Sequence, residues 1–182
     1  MHRILDVKTV QSSAFRILVE ALKEILTDAN MEFDKTGMKI MKMDSTHTVL
    51  AHLKLLASDF EYYYCEKPVV LGINMINLFK LIRTIGNDDT LNLYVNDENY
   101  GVLGIRIENG EKNSVTNYKL NLMEIDEEII QVPPTTFDSV ITLPSIDFQK
   151  IVKDMNNLSS EIEIKSYGNK LMFSCKGDFA TQ

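Results

Sequence analysis

The sequence has 182 residues, 45% of them hydrophobic, enough to bury one good core and part of another. A formal charge of −7 and a pI near 5.0 argue on their face against a nucleic-acid partner. Two cysteines without CxxC or CxxH spacing, Cys65 and Cys175, point to a reduced, intracellular compartment; no run approaches the ~20 apolar residues of a membrane span or resembles a secretory signal, so a soluble protein is expected.

The predicted elements follow from changes of hydrophobic period. Residues 3–9 read as a short strand. Ser12 or Ser13 can then cap a helix with Phe15, Leu18, Val19, Leu22, Ile25 and Leu26 on one side and Arg16, Glu20 and Lys23 on the outer face. Asp34-Lys35-Thr36-Gly37 turns between strands at 31–33 and 38–43. Residues 46–56, with Val49, Ala51, Leu53 and Leu55 alternating against His52 and Lys54, and the tyrosine-rich 60–65 also read as strands.

After the break at Lys67-Pro68, residues 69–73 form a buried-looking strand that feeds a second helix. Met75, Leu78, Phe79, Ile82 and Ile85 share one helical face, leaving Lys80 and Arg83 on the other. Gly86-Asn87-Asp88-Asp89 ends that helix. The period then becomes two, with Leu91, Leu93 and Val95 followed by Leu103, Ile105 and Ile107, and Asn109 to Asn113 turns the chain into a last strand at 115–120.

The first domain is expected to be residues 1–120. Residues 121–134 change character: acidic, closed by Pro133-Pro134 and without sustained period, they read by composition as an interdomain linker. Met123, Ile125, Ile129, Ile130 and Val132 are too much apolar surface for a free tether, so a connector lying across a β surface fits better. Residues 137–143 resume as strand and Pro144-Ser145 caps a third helix, with Phe148, Ile151, Val152 and Met155 as its stripe and Lys150 and Lys153 opposite. Ile162 and Ile164, a turn at Tyr167-Gly168-Asn169, then Leu171, Phe173 and Cys175 complete a hairpin. Residues 135–182 are expected to be part of a second domain. Helix plus hairpin thus occurs three times, an internal repeat that predicts an α+β, β-rich architecture.

Several segments together resemble the eukaryotic-type DNA sliding clamp, or proliferating cell nuclear antigen (PCNA), family. They are Met43-Asp44-Ser45-Thr46-His47 with the alternation that follows, Gly72-Ile73-Asn74 opening a helix with Lys80, Gly86-Asn87-Asp88-Asp89, 118–126, and Leu143-Pro144-Ser145 before Phe148. The likeness runs from about Leu5 to Asp178. It implies a clamp fold with helices on the inner face of a three-subunit ring and sheets outside; the homotrimer is expected of the complete protein, whereas this chain, lacking the C-terminal part of its second domain, is expected to be a monomer or to associate weakly. It further implies a DNA polymerase processivity factor that encircles double-stranded DNA, with no enzymatic activity, metal or cofactor. Its partners would be a polymerase, a clamp loader and other proteins with short clamp-binding motifs, in the nucleus or a viral replication compartment, with no membrane partner. Gly168 stands where family members carry a hairpin lysine used for modifier attachment, so that regulation does not carry over.

An acidic protein can still encircle DNA, because screening confines charge effects to roughly 8 Å at physiological salt. The candidate phosphate contacts are Arg16, Lys23, Lys80, Arg83, Lys150 and Lys153, which recur opposite the apolar stripes. By resemblance, Met43, His47 and Leu50 with Ile130, Val132, Pro133 and Phe137 match the family's pocket for partner motifs, an apolar floor with one polar rim residue. The alternatives are a checkpoint-clamp-like subunit and a hydrolase using Asp44 and His47. Asp44, Ser45 and His47 lie too close together on an extended segment to converge as a triad, His47, His52 and Cys65 lack zinc spacing, and no phosphate-binding glycine motif is present.

Overall fold

Most switches of hydrophobic period in the first 120 residues coincide with a switch of backbone. The computed structural model describes residues 2–126, 130 and 134–181. The first stretch runs β1 (Arg3–Thr9), α1 (Ser12–Ile25), β2 (Asp28–Asp34), β3 (Gly37–Met43), β4 (Leu50–Leu56), β5 (Tyr62–Cys65), β6 (Val69–Asn74), α2 (Met75–Ile82), β7 (Asp89–Asn96), β8 (Asn99–Asn109) and β9 (Ser114–Asn121). There follow α3 (Ser145–Asn156), β10 (Glu163–Tyr167) and β11 (Lys170–Ser174). Two compact units divide the chain, Met1–Gln131 and Val132–Gln182.

In the first unit one sheet has the order β5-β1-β7-β8-β9 and the other β4-β3-β2-β6, and adjacent strands in both are antiparallel. The repeat explains this order. β1 precedes α1 but pairs with β7, the first strand after α2; β6 precedes α2 but pairs with β2, the first strand after α1. Each half lends its leading strand to the other half's sheet, so both halves close over one core. Leu5, Val19, Ile40, Ile73, Leu78, Ile82, Val95 and Ile105 are fully buried in that core, drawn from both sheets and both helices. Burying one such side chain contributes roughly 1.5–3 kcal/mol.

The helix ends differ from the sequence expectation. Neither Ser12 nor Ser13 caps α1: Gln11 occupies the N-cap position without a side-chain bond, and the Ser12 hydroxyl, fully buried, donates to the carbonyls of Gly86 and Asp89. Burial directs that hydroxyl to the nearest open acceptors, which lie at the start of β7. Asn74 caps α2 instead, its side chain accepting from the Asn77 amide at 3.0 Å. α2 stops at Ile82, and Ile85 is buried beyond it, where the Asp89 carboxylate accepts from the Gly86 amide. β4 begins at Leu50 rather than at 46, because Asp44 organises the preceding residues into a loop.

In the second unit α3 and the β10–β11 hairpin bury Met155 and Cys175, and the Phe148 and Phe173 rings lie 6.2 Å apart. The strand expected at 137–143 does not form: Phe137 is 75% and Val140 83% exposed. An isolated strand has no ladder to satisfy it, and among the described residues β10 pairs only with β11. Ser145 is the first residue of α3 rather than its cap. Pro144 holds the cap position, and its carbonyl accepts from the Asp147 and Phe148 amides. Among the described residues no helix is long and apolar enough to cross a membrane.

Candidate functional site

The two helices of the first unit pack side by side, and their cations fall into two kinds. Lys80 is exposed on α2 and Arg83, at its C-cap, is exposed as well; among the described residues neither has an ion-pair partner. The C-terminal end of a helix favours such charges. Arg16 and Lys23 are not on a fully solvated face as expected. Their side chains are only 25% and 19% exposed, each is paired with a glutamate of its own helix, and the Lys23 ammonium lies 4.9 Å from the Phe79 ring of α2. Long aliphatic stems bury against a neighbouring helix whenever one is in reach, which the sequence of α1 alone does not reveal. In the second unit Lys150 and Lys153 are exposed on α3, without an ion-pair partner among the described residues.

The apolar candidates are partly assembled by strand register. Met43, ending β3, faces Leu50, opening β4, and both are half-buried. His47 stands exposed in the loop between them with φ +56°, an uncommon left-handed conformation for a non-glycine residue. Ile130 is half-buried. Ile129, Val132 and Pro133 lie outside the described residues, and Phe137 belongs to the second unit, where it is exposed. The chain beyond β9 returns against the sheet: the Met123 amide donates to the Gly72 carbonyl at 2.9 Å, and the Asn30 side chain donates to the Ile125 carbonyl at 3.1 Å. Gly72 makes this approach possible, since a Cβ there would lie 2.0 Å from the Met123 carbonyl oxygen. A glycine in the middle of a strand pattern was the available signal for this contact.

Asp44 shapes the loop beside Met43 and Leu50. Its carboxylate accepts from the Thr46 hydroxyl and, at 2.9 Å each, from the Thr48 and Val49 amides. The Thr46 hydroxyl first, then the Val49 and Thr48 amides, hold the carboxyl down to about 2. These bonds leave Asp44 serving its own loop, and among the described residues no hydrogen bond joins it to the His47 ring, the pairing a hydrolase reading needs. A depressed carboxylate stabilises its loop above its unfolded value of 3.8, and that contribution is lost as pH falls through about 2. The Val49 amide resonance is therefore expected to titrate with a midpoint near 2, and Asp44→Asn to abolish the step; a midpoint near 3.8 would show that the bonds do not hold in solution.

Helices paired on one side of antiparallel sheets, repeated as helix plus hairpin, define a clamp fold. Comparison with known proteins agrees. Residues 4–129 match the family model described as proliferating cell nuclear antigen, N-terminal domain, and residues 131–182 match its C-terminal domain. The probable DNA polymerase sliding clamp 1 of Paramecium bursaria Chlorella virus 1 is 35% identical over 98% of this chain and 70% of that protein. The proliferating cell nuclear antigen of Chaetomium thermophilum is 32% identical over 96% of this chain and 67% of that protein. The crystal structure of the Entamoeba histolytica protein of the same name superposes with TM-score 0.91 at 28% identity, over 99% of this chain and 72% of that one. The chain belongs to the PCNA family.

Proposed function

We propose that this protein is a DNA sliding clamp: a non-enzymatic processivity factor that encircles duplex DNA and tethers a polymerase and other replication and repair proteins to it. The observation that carries this reading is the family membership of both units. Residues 1–120 act as the first clamp domain, 121–134 as the connector, and 135–182 belong to the second. Arg16, Lys23, Lys80, Arg83, Lys150 and Lys153 touch phosphates without reading sequence, so that the ring slides. On the first unit Met43, His47, Leu50 and Ile130 receive short motifs of a polymerase, a clamp loader and other partners. β9 is an edge strand with mostly exposed side chains, and pairing it with a neighbouring subunit would close a homotrimeric ring. The working compartment is the nucleus or a viral replication compartment, in keeping with a viral relative named as a clamp.

Primer extension on a long single-stranded template tests the reading. With a cognate polymerase and loader, the protein is expected to lengthen the products of a single binding event; product lengths unchanged by the protein would contradict it.

A further inference from the structure

We propose that the solvent face of the five-stranded sheet in the first unit is a second nucleic-acid surface, which takes a single strand by stacking its bases on tyrosines and holding its phosphates on basic side chains. This goes beyond the duplex reading and uses none of its residues. Strand register builds the face. Leu5 and Val7 of β1, Leu91 and Leu93 of β7 and Ile105 of β8 point into the core, so their strand neighbours point out. Tyr62 of β5 therefore lies beside Lys8, Lys8 beside Asn92, and Asn92 beside Arg106. With Arg3 and Lys119, the strands bring four cations to this face against the carboxylates of Asp6 and Glu108, in a chain whose formal charge is −7.

The rings decide what kind of polyanion fits. Tyr62 and Tyr64 stand on the same side of β5, opposite Lys8 and Asp6, and are 52% and 37% exposed. Neither packs against the core, so burial does not account for them. Alternate residues of a strand are about 6.6 Å apart, which lets two bases of an extended strand lie on successive rings. Tyr94 lies across Gly104, where a Cβ would come within 2.2 Å of the ring Cζ. The Arg3 guanidinium is 4.1 Å from the centre of that ring, and a guanidinium plane takes a stacked base as a tyrosine does. Between Arg3, Lys8, Tyr62, Asn92 and Arg106 a depression of about 220 Å³ leaves room for a phosphate. Arg3 and Arg106 are paired with Asp6 and Glu108 at the surface, where ion pairs hold weakly, and Lys119 is exposed without an ion-pair partner among the described residues. An acidic peptide matches the charge but leaves the aromatic platforms unused; a single strand uses both.

The test measures binding of the full chain to a labelled oligothymidylate of about twelve nucleotides by fluorescence anisotropy across a salt series, beside a polyglutamate peptide of similar charge and with unfolding midpoints as a check on fold. Saturable binding of the oligonucleotide is expected. Tyr62→Ala with Tyr64→Ala is expected to weaken it at least about fivefold with little change in the salt slope, and Tyr62→Phe with Tyr64→Phe to restore most of that loss, because the ring rather than the hydroxyl stacks. Lys8→Gln with Lys119→Gln is expected to weaken binding about threefold to tenfold at low salt and to flatten the log K against log salt slope by roughly 1.4, at about 0.7 per phosphate of a single strand. Lys39→Gln with Lys54→Gln, the same loss of charge on the other sheet, is expected to change affinity less than about twofold. The chain has no tryptophan, so stacking is also expected to quench the parent protein's tyrosine emission, a readout that needs no substitution. Polyglutamate bound as tightly as the oligonucleotide, with the alanine pair affecting neither, overturns the proposal in favour of an acidic peptide. Unquenched emission at saturation, equal weakening by the Lys39 and Lys54 variant, or absence of binding by the parent overturns it as well. None of these results removes the duplex reading, which is tested separately by primer extension.

Discussion

Changing Lys80, Arg83, Lys150 and Lys153 together to Glu is expected to abolish sliding on duplex DNA and the stimulation of a polymerase while leaving the fold intact. All four side chains are exposed, and none has an ion-pair partner among the described residues, so their replacement removes no internal contact; surface changes of that kind usually shift stability by no more than about 0.5 kcal/mol. The electrostatic effect is much larger. Phosphate contacts gain affinity by releasing counterions, and each reversal both loses a release and adds a repulsion. Four lost contacts flatten the salt slope by roughly 3–4, and affinity at low salt is expected to fall at least ~100-fold. The measurement is duplex binding across a salt series beside an unfolding curve. Undiminished processivity in the quadruple variant would remove these residues from the DNA face.

Leu50→Ala with Ile130→Ala is expected to weaken a partner peptide carrying one apolar anchor and two aromatic residues by roughly 1–3 kcal/mol, or about fivefold to 150-fold, with little change in DNA binding. Leu50 is half-buried across from Met43, and Ile130 is half-buried in the segment that follows the Gly72–Met123 bridge, so both retain surface for an anchor to cover. Neither lies among the fully buried residues of the core, so the loss should read as affinity rather than unfolding. Calorimetric titration of the peptide checks this; unchanged affinity would move the partner groove elsewhere on the surface.

Much of the fold was legible because local signals agreed with the long-range answer. The α2 stripe from Met75 to Ile82 and the hairpin alternation of Leu91, Leu93 and Val95 against Leu103, Ile105 and Ile107 are buried on the side their period requires. The three helix-and-hairpin units stand where the repeat placed them. What no local pattern contained is the exchange of β1 and β6 between sheets. For the same reason Ser12, which resembles a cap in sequence, is a buried donor to the start of β7 in three dimensions.

The sites divide along the same line. Exposure of Lys80 and Arg83 follows from helical period, whereas the seating of Lys23 over Phe79 needs the packing of α1 against α2. Two alternating strands around Met43 and Leu50 could be read from the sequence, but the register that pairs these two residues could not, because the second strand was expected to begin at 46. The role of Asp44 could not, because its partners Thr48 and Val49 looked like the start of a strand. Residues 137–143 alternate well enough to read as strand, yet periodicity says nothing about whether an edge is present to receive one.

The central claim is that the protein holds DNA by topology rather than by affinity. Its most direct test loads the assembled protein onto a nicked circular duplex, separates bound from free at a salt concentration that suppresses phosphate contacts, and then linearises the DNA. A sliding clamp stays on the circle through the separation and leaves when ends are created. Equal retention on circular and linear DNA, or release from both at that salt, would contradict encirclement.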